Sequence, residues 1–176
     1  MTSMKKKIPF LILFPIIFLT MNSFMAKDDF ESETISIGVV VTDLDISMDF
    51  YQNVIGMTRT GGFEVDADFG KRSGLTDSKS FSVEVLKLKD SSQATEWKLM
   101  SFGTGAGHSN PSYIHNDTGI QYVTIFVKSL EPFLSRIEKH KVKLLGETPV
   151  QLDEERHFVL VQDPDGTFIE LIGPLE

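Results

Sequence analysis

The two halves of the chain repeat the same succession of hydrophobic and polar patterns. In the first half, residues 35–41 form a β-branched run that predicts a buried strand. Asp43 precedes apolar residues at helical spacing and Gly56 follows them, which predicts a helix with a capping residue at each end. Three further strand-like runs follow, at residues 58–65, 81–88 and 97–102.

The second half repeats this order. Residues 120–127 predict a strand, and Ser129 is placed to cap the helix that follows it. The next strand-like runs are residues 142–145, 158–162 and 168–172. Each half therefore predicts a strand, a helix and three strands.

This repetition predicts an α+β fold built from two βαβββ modules. We expect a single domain at residues 34–174 with a short linker, residues 27–33, before it. Within the domain, module 1 is placed at 34–103 and module 2 at 119–174. The linker between the modules is 103–118, which is rich in Gly and small polar residues.

The first 26 residues have a different character. Three lysines at positions 5–7 precede an uncharged run of 19 residues, 8–26. A basic start followed by an apolar stretch is typical of a secretory signal peptide. The run is also long enough to span a bilayer, so an uncleaved membrane anchor is the alternative. We therefore expect an exported protein, periplasmic or secreted, that contacts the membrane only if this segment is retained.

Charge and cysteine content narrow the possible partners. The formal net charge is −8, and removing residues 1–26 takes away three lysines and no acid, which gives −11. Such an acidic chain argues against nucleic acid or an anionic membrane as a partner. The chain has no cysteine, so its core must be stable without disulfides.

A carboxylate interrupts the last apolar strand. Residues 163–166 read Asp-Pro-Asp-Gly, a reversing turn in which Pro presets φ and Gly takes a positive φ. With a three-residue hairpin loop, Leu160 lies opposite Glu170 on one face and His157 points to the other, whereas a tighter hairpin would shift the pairing by one residue and reverse this. An unpaired carboxylate is costly to bury, so Glu170 is either a site residue or a member of an ion pair.

Two motifs carry a resemblance to a known family. The first is Val-Thr-Asp-Leu-Asp-Ile-Ser-Met-Asp-Phe-Tyr at 41–51 with Gly56-Met57, and the second is Asp-Pro-Asp-Gly-Thr-Phe-Ile-Glu-Leu at 163–171. Together they resemble the vicinal oxygen chelate superfamily, which includes glyoxalase I, the bleomycin and fosfomycin resistance proteins and the extradiol dioxygenases. The resemblance implies the glyoxalase/bleomycin resistance fold, in which two modules form a curled mixed sheet around a cup. It also implies a homodimer, because family members commonly pair two chains.

The resemblance further implies up to four metal-ligand positions in the cup, usually two His and two Glu. In this chain these positions hold Ser36, Lys98, Tyr122 and Glu170, so Glu170 is the only family ligand retained. A catalytic metal needs about three imidazole or carboxylate ligands, and a lysine ammonium repels a cation. We therefore expect no cofactor, with a divalent metal bound through Glu170 as the alternative.

Counting alternate residues along the strands predicts the lining of the cup. Lys98 and Glu170 are expected to form a charge pair where the metal would lie, and with Tyr122 they are the candidate catalytic residues. The candidate ligand-binding residues are Ser36, Met100, Thr124, Phe126, Arg156, Phe158, Leu160 and Phe168. The polar loop at 65–79 is a candidate lid or dimer contact, with a plain surface excursion as the alternative.

The expected function is metal-free binding of a small molecule in the cup, or metal-independent chemistry on it. In that chemistry Glu170 would be the general base, and Lys98 or Tyr122 would stabilise an oxyanion. One alternative is a metal-dependent lyase of the glyoxalase type or a dioxygenase of the extradiol type that uses Glu170. The other is a degenerate structural or interaction domain with a filled cup. The motifs are specific for a fold and not for a reaction, so whether the protein is an enzyme stays open.

Overall fold

The computed structural model describes residues 29–105, 107 and 109–176. Residues 32–176 form one compact unit. The predicted signal peptide or anchor at 1–26 lies outside the described residues. Across the part of the chain that is described, no helix combines the length and apolarity needed to cross a bilayer.

Module 1 begins with a strand and a helix whose ends follow the predicted caps. Its elements are β1 Ser36–Val40, α1 Leu44–Asp49 continued by a π-helical turn at Phe50–Ile55, β2 Thr58–Val65, α2 Ala67–Ser73, β3 Phe81–Lys87 and β4 Glu96–Ser101. The Asp43 carboxylate accepts from Ile46 N at 3.0 Å, which satisfies a free donor at the start of α1. Gly56 ends the helical segment with φ 87°, a left-handed conformation that favours glycine.

Module 2 repeats the order after the linker. The linker contains a 3-10 turn at Ile114–Asn116, and the elements of module 2 are β5 Tyr122–Phe126, α3 Glu131–Lys139, β6 Val150–Gln151, β7 His157–Gln162 and β8 Phe168–Gly173. The strands form two four-stranded sheets with matching orders, β1-β4-β3-β2 (sheet 1) and β5-β8-β7-β6 (sheet 2). The first and last strands of each module are parallel, and the other neighbours are antiparallel. The predicted fold class, α+β with two βαβββ modules, is confirmed.

Three local predictions need correction. Residues 142–145 are not a strand, because this segment leaves α3 directly and Leu145 N donates to Leu160 O just before the turn at Gly146; the edge strand is β6. The cap of α3 is Leu130, and the Ser129 hydroxyl accepts from Glu131 N at 3.2 Å. The predicted loop at 65–79 contains helix α2.

The main core joins the two modules on one side of both sheets. Its largest fully buried side chains include Tyr51 and Leu99 from module 1 and Ile169 and Leu171 from module 2. A separate apolar cluster lies within module 1, where Val65, Phe81, Val83 and Val85 are buried against Met100 and Phe102.

Residues of module 2 contact the N-terminal end of helix α1 and the helical turn that follows it. Asp165 Oδ1 accepts from Thr42 N at 3.0 Å, just before the helix starts. Tyr51 donates its hydroxyl to Asp163 Oδ2 at 2.7 Å inside the core, where the two side chains are 0% and 5% exposed. A carboxylate near the start of a helix complements the partial positive charge of the helix dipole.

Module 2 also holds the other end of this helical segment. Arg136 of α3 donates to Val54 O at 2.8 Å and to Ile55 O at 3.4 Å. These carbonyls belong to the last turn and have no acceptor role left inside the helix. The contacts at both ends fix the first module against the second.

Candidate functional site

Each sheet has one face in the main core and one face turned away from it, which we call its open face. In sheet 1 the alternation along β4 is clear, since Trp97 and Leu99 are buried in the core. Lys98 and Met100 therefore lie on the open face, together with their register partners Gly38 and Val40 of β1.

A polar group, the Glu96 cluster, occupies one end of this open face. It consists of Ser36, Lys87, Glu96 and Lys98. Glu96 Oε2 lies 3.1 Å from Lys98 Nζ and accepts from the Ser36 hydroxyl at 3.0 Å, while Glu96 Oε1 lies 3.5 Å from Lys87 Nζ. The hydrogen bond from Lys98, followed by that from Ser36, holds the pKa of Glu96 below its usual value.

These contacts change the expected role of Lys98. Its ion-pair partner is Glu96, and among the ion pairs of the described residues none joins Lys98 to Glu170. The charge pair expected between Lys98 and Glu170 is therefore not formed. The reason is local, because Glu96 lies two residues before Lys98 on the same face and is reached first.

Glu170 instead pairs within sheet 2. The Thr124 hydroxyl donates to Glu170 Oε2 at 2.5 Å, and Thr124 is the register partner of Glu170 on the parallel strand β5. Leu160 lies directly opposite Glu170 on β7, as the hairpin argument predicted. The turn also has the predicted form, with Asp163 N bonded to Thr167 O and Gly166 at φ 92°.

The other candidate residues of sheet 2 differ in accessibility. Tyr122 and Phe126 are 46% and 71% exposed, so both can contact a ligand. Phe168 is 1% exposed and belongs to the packed interior. Arg156 lies outside the strands and is engaged by Asp153, whose Oδ2 is 2.6 Å from Arg156 Nη2. Phe158 and Leu160 are half-buried beside β8.

His157 points to the core side of sheet 2, because it alternates with Phe158 and shares parity with the buried Val159 and Val161. Its Nδ1 is buried and has no hydrogen-bond partner. This agrees with the prediction that it faces away from Glu170.

Met100 covers part of the open face of sheet 1. A Cβ added at Gly38 would lie 3.0 Å from Met100 Cε, so the thioether side chain crosses β1 at this glycine. Met100 also packs against the separate apolar cluster of module 1, so the part of the open face next to the Glu96 cluster is apolar.

Cavities lie along the junction of the modules. One of about 280 Å³ is lined by Val40 of β1 and by Ile120 and Gln121 before β5. Another of about 480 Å³ is lined by Thr95, before β4, and by Phe126 at the end of β5. Residues at the end of β1 and just before β5 thus line one cavity.

The segment after α2 borders the open face of sheet 1. Leu75, Thr76, Asp77 and Lys79 line a cavity of about 350 Å³ together with Val40 and Phe102. The predicted lid at 65–79 is thus placed beside the candidate binding surface.

The donor groups of the open faces do not resemble a metal centre. Within residues 29–105, 107 and 109–176, no three His, Asp or Glu side chains are grouped closely enough to hold an ion. At the positions the family uses, Ser36 and Lys98 are both engaged by Glu96, and Tyr122 is an exposed phenol. These residues do not fit a divalent metal.

Sequence reasoning missed Glu96 and Lys87. The pattern contained a signal for Glu96, because Glu96 has the same parity on β4 as Lys98, a predicted cup residue. It contained none for Lys87, because no residue of β3 was predicted to line the cup. Both residues also lie at strand ends, where alternation gives the least certain facing.

Comparisons with known proteins match this architecture. The family model described as Glyoxalase/Bleomycin resistance protein/Dioxygenase superfamily matches residues 35–171. None of the curated proteins matches the chain in sequence.

Solved structures of this fold are also similar. A glyoxalase family protein from Bacillus cereus is 24% identical, with a TM-score of 0.70, and the match covers 86% of this chain and 99% of that one. The trypanothione-dependent glyoxalase I of Leishmania major is 21% identical, with a TM-score of 0.54 and coverages of 78% and 84%. Glyoxalase I of Zea mays is 18% identical, with a TM-score of 0.61, and the match covers 81% of this chain and 45% of the maize chain. At these identities the likeness establishes the fold alone.

Proposed function

Because the chain belongs to the Glyoxalase/Bleomycin resistance protein/Dioxygenase superfamily, we propose that the open faces of its two sheets bind an organic small molecule without a resident metal ion. The observation that carries the proposal is the engagement of Lys98 by Glu96 at 3.1 Å. An ammonium stands where the family resemblance implies a carboxylate ligand, and it is already paired.

The residue types at the family's other ligand positions also support a site without a resident metal ion. A zinc, nickel or iron centre needs about three protein ligands of the imidazole or carboxylate type. Glu170 is the one carboxylate at the four family positions, and Thr124 already donates to one of its oxygens. At the family position in module 1, a cation would also be repelled by the Lys98 ammonium that occupies it.

The shape and polarity of the surface favour an organic ligand. Small-molecule sites are concave, largely apolar and contain a few polar groups that fix orientation. Here the partly exposed Val40, Tyr122 and Phe126 supply apolar contact area. The Glu96 cluster and Glu170 supply the polar groups.

We extend the proposal to the location and assembly of the protein. The basic and apolar pattern of residues 1–26 supports export, with cleavage of that segment. Family resemblance supports a homodimer. Both follow from the sequence pattern and the family, and neither is needed for ligand binding on the open faces.

The test uses purified mature protein, elemental analysis and a neutral fluorescent probe, N-phenylnaphthylamine. We expect no stoichiometric metal, saturable probe binding and no effect of a chelator on that binding. Val40→Gln should weaken binding by about threefold, because it removes apolar contact from a side chain that is 42% exposed on the open face. Ile35→Gln is the matched control, since Ile35 is also exposed but lies just before β1 rather than on its open face.

Two results would overturn the proposal. A stoichiometric divalent metal whose removal abolishes probe binding would identify a metal-dependent enzyme. Absence of saturable binding in the wild-type protein would identify a filled, degenerate domain.

A further inference from the structure

We propose that the ligand of the open faces is an organic anion and that Lys87 and Lys98 bind its negatively charged group. This inference rests on the proposed function and adds the charge class of the ligand. It assigns a recognition role to Lys87, which lies outside the four family positions.

The strand register brings the two lysines together. Val85 is the register partner of Lys98, and Lys87 follows Val85 by two residues on β3, so both lysines project from the same face. Their ammonium groups lie on opposite oxygens of one carboxylate, at 3.5 Å and 3.1 Å from Glu96. Lys87 is 14% exposed and Lys98 is 30% exposed, so both are partly withdrawn from water.

The charges of the cluster do not cancel. Two ammonium groups face one carboxylate, which leaves one net positive charge in a chain whose formal net charge is −8. An ammonium has three donors. The described contacts use one donor of Lys98 and two of Lys87, whose second acceptor is Ser91 O at 3.3 Å. Each lysine therefore retains a donor for an incoming anion.

The surroundings specify the rest of the ligand. Next to Lys98 on the open face, the partly exposed Met100 supplies apolar surface, packed on a cluster that contains the buried Val85. Ser91, the second acceptor of Lys87, lines the cavity of about 480 Å³ that also contains Phe126. A negative group beside an apolar and aromatic surface fits an aliphatic or aromatic carboxylate or sulfonate.

Glu96 has two opposing effects in this arrangement. It positions both lysines, and it also competes with the ligand for their charge. Neutralising Glu96 should therefore strengthen anion binding, whereas neutralising Lys87 should weaken it. A cluster with a purely structural role would weaken binding, or leave it unchanged, in both variants.

The experiment compares two probes that share an aromatic skeleton, the anionic anilinonaphthalenesulfonate and the neutral N-phenylnaphthylamine. Each is titrated against the wild type, Lys87→Gln, Glu96→Gln and the control Lys143→Gln, which changes an exposed lysine outside the cluster. For the sulfonate we expect about tenfold weaker binding in Lys87→Gln and about tenfold stronger binding in Glu96→Gln. The neutral probe should keep its affinity within about twofold in all four proteins.

The results separate the two proposals. If neither probe binds the wild type, the proposed function fails. If the neutral probe binds but the sulfonate affinity does not respond to Lys87→Gln and Glu96→Gln in opposite directions, only the anion inference fails. If Lys87→Gln is poorly folded, the Glu96→Gln arm alone decides, because weaker or unchanged sulfonate binding there refutes the inference.

Discussion

Removal of one hydroxyl from the core should measurably loosen the contact between the modules. Tyr51→Phe deletes the 2.7 Å hydrogen bond to Asp163 Oδ2, while Oδ1 keeps its bonds from Asp165 N and Thr167 N. The variant leaves one oxygen of a buried carboxylate without its donor. Hydrogen bonds to charged groups contribute about 1.5–3 kcal/mol, so we expect the free energy of unfolding to fall by about 2 kcal/mol. For a chain of this size that corresponds to a Tm lower by about 6 °C.

Urea unfolding followed by tryptophan fluorescence is a direct assay. The chain has a single tryptophan, Trp97, whose ring centroid lies 5.5 Å from that of Tyr51, so the probe reports on the altered region. Tyr113→Phe is the matched control, because Tyr113 is 64% exposed and its substitution should change the free energy of unfolding by less than about 0.5 kcal/mol.

The pH dependence gives an independent check. Burial, reinforced by the Asp163 carboxylate, raises the pKa of Tyr51 well above its usual value. Above about pH 10 the unfolded chain loses this proton and the folded chain keeps it, so the stability of the wild type falls as the pH rises. Tyr51→Phe lacks this contribution, and its deficit relative to the wild type should shrink above pH 10. A deficit under about 0.5 kcal/mol at neutral pH, or one that is constant with alkaline pH, would refute the reasoning.

Two further changes test the module contact and the limits of the binding surface. Arg136→Met should lower the free energy of unfolding by about 1–2 kcal/mol, because it removes the donors to Val54 O and Ile55 O. Lys139→Met, on the exposed side of the same helix, is the control and should have little effect. Equal urea midpoints for the two variants would contradict this prediction. Arg156→Gln should leave the affinity for N-phenylnaphthylamine unchanged within about twofold, because the guanidinium is 51% exposed and bound to Asp153. A larger loss of probe affinity in a fluorescence titration would show that Arg156 contributes to ligand binding.

The architecture was predictable because it depends on patterns with a short range along the chain. Alternation and helical spacing located most of the elements, and the Asp-Pro-Asp-Gly turn fixed the register that sets Leu160 opposite Glu170. The incorrect prediction of a strand at 142–145 also arose from a short-range pattern. Apolar residues that pack on a core without a ladder show the same pattern as a strand, and only the tertiary contacts distinguish the two.

The side-chain pairing of the site was not predictable in the same way. A charged residue in a strand has a defined face, but its partner depends on which neighbour its flexible side chain reaches. Lys98 has Glu96 two positions away on its own strand and face, whereas Glu170 belongs to another sheet. The pseudo-symmetry between the modules suggested Glu170 as the partner of Lys98, but Glu96 is nearer along the strand and forms the ion pair.

The same contacts explain why the family's ligand pattern cannot be restored by a single residue. Module 1 still carries an acid on its open face, but this acid is Glu96, two residues along the strand from the family position, and two ammonium groups pair with it. Glutamate at position 98 would add a carboxylate beside Glu96 and Lys87 without supplying imidazole at positions 36 or 122. Since a divalent metal needs about three suitable ligands, no single substitution restores the family's set, and the two lysines of the Glu96 cluster remain the groups that we propose bind an organic anion.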